Sequence, residues 1–426
     1  MTLPSSGVSY PLRVAVFTDN FHPELGGIQD SILASARELG ARGHRIAIFA
    51  PAAADRDYAR AGLPVAEPDM GPNVSVRRLF SLPVPSSSQQ SRLAVPIGRC
   101  RREIALLRPD VIHSHTFLGV GLEALWAARG AGVPLVGTNH WAVGAFDLYA
   151  PVARAAFRRL AVSTVTRYYQ RCDRVTGPSR FTVDDMLHNG LCRPCSVISN
   201  PIDTRSFHPL DDDARRAIKQ RWGLTAATIV YAGRMAREKS VDVLIRALAG
   251  VRAQRPQAML VLAGHGSARD SLAALARDCG VGDAVRFVGT LPHAALGELF
   301  AASEVFAIAS KSETQSMVVL QAMACSLPAV GARFGGLIEH IPPEAGLLAD
   351  PDRPDDFRDK LLTLLGDPSA RMRMGAAARH FAESFSVDSI ADAWENLYRQ
   401  AARDAGPDRR AGVARSKKSE GKPTCA

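Results

Sequence analysis

A repeated alternation of short apolar runs with helical segments constrains the fold most. In the first half of the chain, nearly continuous apolar runs occupy residues 12–18, 45–50, 74–79, 110–113 and 134–138. A helical period over residues 28–42, between Gly26-Gly27 and Gly43, is typical of the connections. Continuous apolar runs indicate parallel strands that are covered on both faces. The first half therefore predicts a doubly wound α/β domain that binds ligands at the carboxyl ends of its strands.

The pattern stops near Asn200-Pro201, in a stretch rich in turn formers and acids, and then restarts. Apolar runs at 228–232, 259–263, 284–288, 305–309 and 329–331 alternate with helical segments such as 241–255. We predict a first domain over residues 1–200 and a second over 201–400, both doubly wound and Rossmann-like, facing a central cleft. Residues 401–426 are polar, basic and without periodicity, which predicts a disordered tail.

Composition restricts the location and the partners. The chain has 426 residues, seven cysteines, no apolar run long enough to span a bilayer and no signal-like start, so a cytoplasmic protein is expected. Residues 1–200 hold 22 Arg and 15 acids (+7), residues 201–400 hold 23 basic and 24 acidic residues (−1), and the tail holds 7 and 3 (+4). This asymmetry predicts an anionic surface as a partner of the first domain, at the inner face of the cytoplasmic membrane. Nucleic acid is not expected, because no binding motif with interleaved aromatic residues is present.

Two cations follow a predicted strand of the second half. The strand ends at Gly233, and Arg234 and Lys239 lie in the turn that opens the next helix. Backbone N–H groups and the helix dipole favour anions at such a turn, so this pair predicts a diphosphate site. The alternative is a pair of solvated surface cations.

A second polar junction runs from Ser310 to Ser326 and contains Glu313. It follows a predicted strand and leads into a helix. A carboxylate beside unpaired backbone N–H groups can bind sugar hydroxyls and phosphate together. The alternative is an ordinary helix start, with Glu313 placed favourably against the dipole.

Metal binding is not predicted. Asp350 and Asp352 form a D-x-D pattern, but they follow the sequence AGLL in what reads as a loop, which favours a solvated turn. No cofactor is needed other than the substrates themselves. Two histidines, His115 and His140, follow strands of the first half, where enzymes of this architecture place working residues.

Taken together, these motifs resemble the retaining family-4 glycosyltransferases of the GT-B fold. The second half carries GRMAREK, LAGHGS, RFVGTLP, SETQSMVVLQAMA and VGARFGGLIEHI in the family's order, and the first half carries TDNFHPELGGIQ, DVIHSH and SNPIDTRSF. The resemblance implies two Rossmann-like domains, with a last helix that can return to the first, and hexosyl transfer from a UDP- or GDP-linked donor.

The resemblance also implies a role for each matching position. Arg234 and Lys239 would neutralise the diphosphate, Glu313 would hold the transferred hexose, and His115 would lie beside the donor sugar. Further donor contacts are implied at Gly26, Gly27, Gly264, Val288, Gln315, Ser316, Met317 and Val318. The family's second acid, which binds the ribose hydroxyls, is replaced here by Gln321. An amide can still hydrogen-bond a ribose, but without the charge.

The acceptor is expected on the first domain. Residues 151–174 carry six Arg and one Asp at partly helical spacing, which suits either a membrane-surface helix or a core helix. The SETQ sequence is most similar to the subgroup that glycosylates diacylglycerol-type lipids, so a lipid acceptor is the leading hypothesis. Its acceptor-side residues would be His140, Arg167, Arg171 and Arg174. The alternatives are a soluble or polyprenyl-linked saccharide acceptor and a nucleotide-sugar binding protein without transfer activity.

Overall fold

The computed structural model of the chain describes residues 10–24, 26–84, 92–141 and 154–406. Within these ranges, no helix is both long and apolar enough to cross a membrane. The predicted disorder of residues 407–426 lies outside the described residues. The start of the predicted tail, however, is helical up to Asp404.

The first half folds around a seven-stranded parallel sheet. Its strands and the two strands of a small antiparallel ribbon are β1 (Arg13–Phe17), β2 (Arg45–Pro51), β3 (Val74–Leu79), β4 (Ser81–Pro83), β5 (Arg92–Ala94), β6 (Val111–Ser114), β7 (Leu135–Thr138), β8 (Arg174–Gly177) and β9 (Cys195–Val197). The sheet order is β3-β2-β1-β6-β7-β8-β9, and β4 pairs with β5. The chain reverses its direction of winding between β1 and β6, so a crevice opens at their carboxyl ends.

Helices cover both faces of this sheet. They are α1 (Gly27–Ala41), α2 (Asp55–Ala61), α3 (Cys100–Leu107), α4 (Gly119–Ala131), α5 (Arg154–Tyr169) and α6 (Arg180–His188). The two faces form separate buried clusters, one around Phe17, Phe49 and Tyr169 and the other around Val14, Ile48 and Val136. Strands that are buried on both sides explain the continuous apolar runs in the sequence.

The second half repeats this architecture with six parallel strands. They are β10 (Thr228–Ala232), β11 (Met259–Ala263), β12 (Val285–Gly289), β13 (Val305–Ile308), β14 (Ala329–Ala332) and β15 (Gly346–Ala349), in the order β12-β11-β10-β13-β14-β15. The helices are α7 (Asp212–Trp222), α8 (Val241–Gln254), α9 (Arg269–Asp278), α10 (His293–Ala302), α11 (Met317–Ala324), α12 (Leu337–His340), α13 (Pro354–Gly366), α14 (Pro368–Glu383) and α15 (Val387–Asp404). A short 3-10 turn, Arg237–Lys239, precedes α8.

The last helix, α15, packs on the first sheet rather than on the second. Ile390, Trp394, Leu397 and Tyr398 are buried in the cluster that contains Val14 and Val136. The helix is strongly amphipathic, so its apolar stripe faces this cluster. Helix α15 therefore stabilises the first half.

Three details of the sequence-based prediction are wrong. Residues 346–349 were not predicted as a strand, although they form the edge strand β15; Asp350 and Asp352 lie just beyond it in an exposed turn, as expected. Arg174 does not continue a helix from residue 151, because α5 ends at Tyr169 and Arg174 begins β8. Strands β8 and β9 were not predicted at all, although both belong to the first sheet.

Candidate functional site

Three turns meet at the carboxyl edge of the second sheet, and glycines allow their close approach. A Cβ atom on Gly264 would lie 2.0 Å from the Gly233 carbonyl oxygen, and one on Gly266 would lie 2.3 Å from that of Met235. Gly233 and Gly264 also have φ values of 146° and 128°, which side chains disfavour. The Gly264 N–H donates to the Gly289 carbonyl (2.7 Å), so the turn carrying Gly264 adjoins β12 and the half-buried Val288. The absence of side chains at Gly264 and Gly266 thus allows the two turns to pack backbone against backbone.

The two predicted diphosphate cations lie beside this edge. Lys239 ends the 3-10 turn, and its Nζ is 2.7 Å from Glu313 Oε1. Both side chains are largely buried, with 15% and 12% of their surfaces exposed. Arg234 is half exposed and pairs with Glu238 at 3.3 Å. The structure therefore brings Lys239 and Glu313, which are 74 residues apart, into direct contact.

Two consecutive glycines support the segment that carries Glu313. The Gly336 N–H donates to the Glu313 carbonyl at 2.9 Å. A Cβ atom on Gly335 would lie 2.6 Å from that same oxygen, and one on Gly336 would lie 2.0 Å from the Thr314 carbonyl. The GG pair of the motif VGARFGGLIEHI is therefore required sterically, because it lets two backbone segments touch.

The start of α11 contacts the first domain, both at its last residues and at Gly27. The Gln315 side chain accepts hydrogen bonds from the Asn200 backbone N–H (2.9 Å) and side-chain amide (2.7 Å), and it donates to Ser199 Oγ. Met317 lies against Gly27, where a Cβ atom would be 3.0 Å from its sulfur. Ser316 Oγ is buried and has no hydrogen-bond partner among the described residues. The structure thus places Gly27, the neighbour of Gly26, against the first residue of α11, and Val318, the next residue of that helix, is half-buried.

Gln321 lies in the second turn of α11 and is buried. Its side chain forms no hydrogen bond to another described residue, so its amide remains available. Gln29 on α1 was missed by sequence reasoning, although it ends the quoted motif TDNFHPELGGIQ. It is buried with its Oε1 unpaired within the described chain. Buried polar atoms without partners are uncommon, so Gln29 and Ser316 are candidates for contacts with substrate oxygens.

Three histidines are buried together beneath the cleft. His115 Nδ1 lies 3.0 Å from His140 Nε2, and the His113 and His115 ring centroids are 4.0 Å apart. Burial lowers the pKa of His113 to about 3 and that of His140 to about 4, and burial with the two neighbouring imidazoles lowers the pKa of His115 well below its usual value. All three rings are neutral at pH 7, so each can donate one hydrogen bond and accept one.

His140 lies closer to the donor-side segment than the sequence indicated. Its carbonyl accepts a hydrogen bond from Thr314 Oγ1 (3.1 Å), the residue next to Glu313. His115 lies behind it, between His113, His140 and Trp394. The two histidines therefore form one unit at the cleft.

The three arginines predicted on the acceptor side lie elsewhere. Arg174 is the first residue of β8, at the amino edge of the sheet, and its guanidinium pairs with Asp404 of α15. Arg167 and Arg171 lie at the carboxyl end of α5 and just beyond it, and both are exposed. A helix that leads from β7 to β8 ends at the amino edge of the sheet, so these residues lie opposite the cleft. Their position at this edge does not support the predicted acceptor role, which stays a prediction.

Comparison with known proteins identifies the family. The model described as Glycosyltransferase Family 4 matches residues 25–206, and the one described as Glycosyl transferases group 1 matches residues 214–381. The D-inositol 3-phosphate glycosyltransferase of Rhodococcus opacus (strain B4) is 30% identical over 422 residues, covering 92% of this chain and 91% of that protein. The chain belongs to the family-4 glycosyltransferases. The enzyme of the same name from Kribbella flavida is also 30% identical and is covered to 98%.

Solved structures confirm the predicted GT-B fold of this glycosyltransferase. Sucrose-phosphate synthase from Thermosynechococcus elongatus superimposes with a TM-score of 0.75 at 20% identity, covering 92% of this chain and 99% of that one. Anabaena HepE in complex with UDP gives 0.72 at 18% identity, with 91% and 100% covered. The sequence relatives are named for a phosphorylated inositol rather than for a lipid.

Proposed function

We propose that this glycosyltransferase moves a hexose, with retention of configuration, from a nucleoside-diphosphate sugar to an acceptor hydroxyl. The observation that carries the proposal is the contact of Lys239 with Glu313 beside the glycine turns. In a nucleotide sugar the hexose is bonded directly to the diphosphate. A cation that binds the diphosphate and a carboxylate that binds the hexose hydroxyls must therefore lie close together. The bond between the sugar and the diphosphate would therefore lie next to this pair.

Departure of the nucleoside diphosphate builds up negative charge on its oxygens. Arg234, Lys239 and the N–H groups at the start of α11 can stabilise that charge in a partly buried site, where electrostatic interactions are strong. This set of groups suits a reaction that needs no metal. The neutral His115–His140 pair can hold a sugar hydroxyl without introducing a competing charge.

The donor is proposed to be UDP-linked, with GDP as the alternative. HepE, which shares the fold, has been solved in complex with UDP and with UDP-glucose. Gly264 and Val288 would border the base, and Gln321 would reach the ribose. The uncharged Gln321 makes fewer strong hydrogen bonds than an acid, so donor affinity would depend more on the diphosphate contacts.

Two acceptor classes remain, and different observations favour them. A phosphorylated polyol is supported by the relatives, which match almost the whole chain and are named for inositol 3-phosphate. A membrane lipid is supported by the basic first half and the SETQ sequence. In both cases the acceptor would approach the carboxyl edge of the first sheet, where Asp19, Phe21, Asp57 and Arg92 line a small recess. A cytoplasmic location fits both classes.

Substitution of the ion pair tests the proposal. Lys239→Ala and Glu313→Gln should each reduce transfer by about ten- to a hundredfold, because each removes a charge-assisted hydrogen bond of about 1.5–3 kcal/mol and leaves its partner buried. Transfer is measured as nucleotide release with each acceptor class, and folding is checked by circular dichroism. Arg246→Ala, which removes an exposed cation from α8, is the matched control and should keep full activity. Normal turnover by folded Lys239→Ala and Glu313→Gln proteins would refute the assignment.

A further inference from the structure

The β4–β5 ribbon turns apolar side chains outward. Its register pairs Ser81 with Ala94 and Leu82 with Leu93. Ser81 and Ala94 are buried against the domain, whereas Leu82 and Leu93 are exposed side by side on the outer face. A ribbon on a soluble surface normally has the opposite arrangement, with polar residues outward.

Exposed apolar residues continue on both sides of the ribbon. Phe80 precedes β4 and is 60% exposed, Leu82 is 53% exposed, and Ile97 follows β5 and is 55% exposed. Leu93 belongs to the same group. The Val95 N–H donates to the Phe80 carbonyl (3.1 Å), so the two chain segments that carry these four residues run next to each other. Clustered apolar exposure of this kind marks an interaction surface.

The ribbon is anchored, so the exposure does not result from a loose loop. Ser81 Oγ donates to the Ala52 carbonyl (2.6 Å), and Arg92 forms an ion pair with the buried Asp57 (2.9 Å). On the other side, the buried carboxylate of Glu123 accepts hydrogen bonds from the Ile97 and Gly98 N–H groups at 2.5 Å each. These contacts hold the apolar side chains outward in a fixed geometry.

Uncompensated positive charge lies next to this apolar face. Residues 77–103 contain six arginines and a single acid, Glu103, which pairs with Arg77. Arg99, Arg101 and Arg102 at the start of α3 are exposed, and none of them forms an ion pair with a carboxylate of the described chain. By contrast, Arg13, Arg78 and Arg92 are all paired with acids.

The surface also adjoins the small recess at the carboxyl edge of the first sheet. Arg92 and Asp57, which anchor β5, line the recess together with Asp19 and Phe21. Leu93 reaches the start of α4, where a Cβ atom on Gly119 would lie 2.9 Å from its Cδ1. A partner bound to the ribbon would therefore lie close to the carboxyl edge of the first sheet.

We propose that Phe80, Leu82, Leu93 and Ile97, with Arg99, Arg101 and Arg102, form a ribbon surface that docks on an anionic phospholipid bilayer. Apolar side chains flanked by arginines match the bilayer interface, where the acyl boundary lies directly below phosphate groups. The inference rests on the proposed function in one respect: the acceptor hydroxyl would be presented at the membrane surface, next to the recess.

Flotation of the full chain with lipid vesicles tests the ribbon surface. Vesicles of phosphatidylcholine with 30% phosphatidylglycerol are compared with pure phosphatidylcholine vesicles, in the absence of donor. Two variants are compared with the wild-type protein: one combines Leu82→Glu with Ile97→Glu, and the other combines Arg99→Glu, Arg101→Glu and Arg102→Glu. Each variant should bind the anionic vesicles at least about tenfold more weakly. Salt should weaken binding of the wild-type protein, because it screens the arginines.

The chain offers matched controls for both kinds of change. Leu160→Glu alters a 66% exposed leucine on α5, and Arg167→Glu with Arg171→Glu alters exposed arginines at the opposite edge of the sheet. Both controls should float like the wild-type protein. Equal loss in the controls, equal flotation with neutral vesicles, or no flotation of the wild-type protein would overturn the proposal.

Two further measurements separate the alternatives. Sedimentation equilibrium without lipid should show a monomer, and a dimer that Leu82→Glu dissociates would assign the surface to a second copy of the chain instead. Nucleotide release with a water-soluble acceptor should be normal in Leu82→Glu with Ile97→Glu, since neither residue lies in the catalytic cleft. If the Leu82→Glu with Ile97→Glu protein loses vesicle binding but still releases nucleotide at the normal rate, the docking surface is supported. If the wild-type protein binds vesicles but releases no nucleotide with any acceptor, the proposed function fails and the docking surface stands.

Discussion

The sequence predicted which residues belong to the candidate site, but it did not show why the fold requires them there. Gly264 was singled out as a border of the nucleotide site. The structure shows that its lack of a side chain is required by a neighbouring backbone oxygen 31 residues earlier in the chain. Similarly, Glu313 and Lys239 were assigned separate tasks, and only the fold reveals that they touch. Such contacts depend on the mutual placement of loops, which periodicity does not encode.

Gln321 provides a test at the scale of one residue. Gln321→Glu should tighten UDP binding about tenfold, because a carboxylate accepts hydrogen bonds from ribose hydroxyls more strongly than an amide does. Without nucleotide the same change should lower stability, since it introduces a charge at a buried position. Titration calorimetry with UDP measures the affinity, and Gln321→Ala is the control that removes the amide. Equal affinity in all three proteins would show that the residue is not at the ribose.

At the scale of elements, the strands with continuous apolar runs were predicted closely, and the exceptions each have a physical cause. Strand β9 has only three residues and lies at the sheet edge with partly exposed side chains, so it lacks the apolar run of a central strand. Strand β8 follows a turn that keeps the arginine-rich composition of α5, which hides the boundary. The exposed pair Leu82 and Leu93 of the β4–β5 ribbon was also not predicted, because an alternating sequence does not show which face of a strand is exposed to solvent.

Helix α15 follows the second domain in the sequence but packs against the first. Trp394 is buried, and its ring centroid lies 4.7 Å from that of His113, while the Tyr398 hydroxyl is 2.8 Å from His113 Nδ1. The C-terminal helix therefore packs directly behind the histidines of the first domain. Sequence periodicity could predict this helix but not the sheet on which it packs.

Trp394→Ala should destabilise the first domain by about 3–5 kcal/mol, because it opens a large cavity in that core. Hydrogen exchange should accelerate in β1 and α1, whereas β10 and β11 should remain protected as in the wild-type protein. Met372→Ala, on the exposed face of α14, is the control and should change neither. Accelerated exchange confined to the second domain would contradict the packing described here.

At the scale of the whole molecule, the two domains are joined by polar contacts across the cleft. Glu339 of α12 accepts hydrogen bonds from the Arg180 and Phe181 N–H groups at the start of α6 (2.9 and 3.1 Å). Asp30 of α1 lies 3.5 Å from His293 of α10, and this contact raises the pKa of His293. Protonation of His293 therefore strengthens the contact, and this gain is lost as the pH rises through its raised pKa.

The buried histidines act on the stability of the whole molecule in the opposite direction. His113, His115 and His140 stay neutral in the folded protein well below pH 6.5, whereas in the unfolded chain each takes up a proton near that pH. The unfolded state then binds more protons, so the free energy of unfolding falls as the pH drops from about 6.5 towards about 4. Each histidine contributes a slope of up to about 1.36 kcal/mol per pH unit in this window.

Replacement of one histidine should remove its share of that slope. For His140→Gln, which retains a hydrogen-bonding side chain, urea unfolding between pH 6 and pH 4.5 should show a pH dependence that is weaker than that of the wild-type protein by up to about 1.36 kcal/mol per pH unit. His188→Gln, which removes an exposed histidine from the end of α6, serves as the control for the loss of one imidazole. If both variants show the same slope as the wild-type protein, His140 is already protonated in the folded state over this range. It would then carry a positive charge in the cleft and could not act there as the neutral partner of His115.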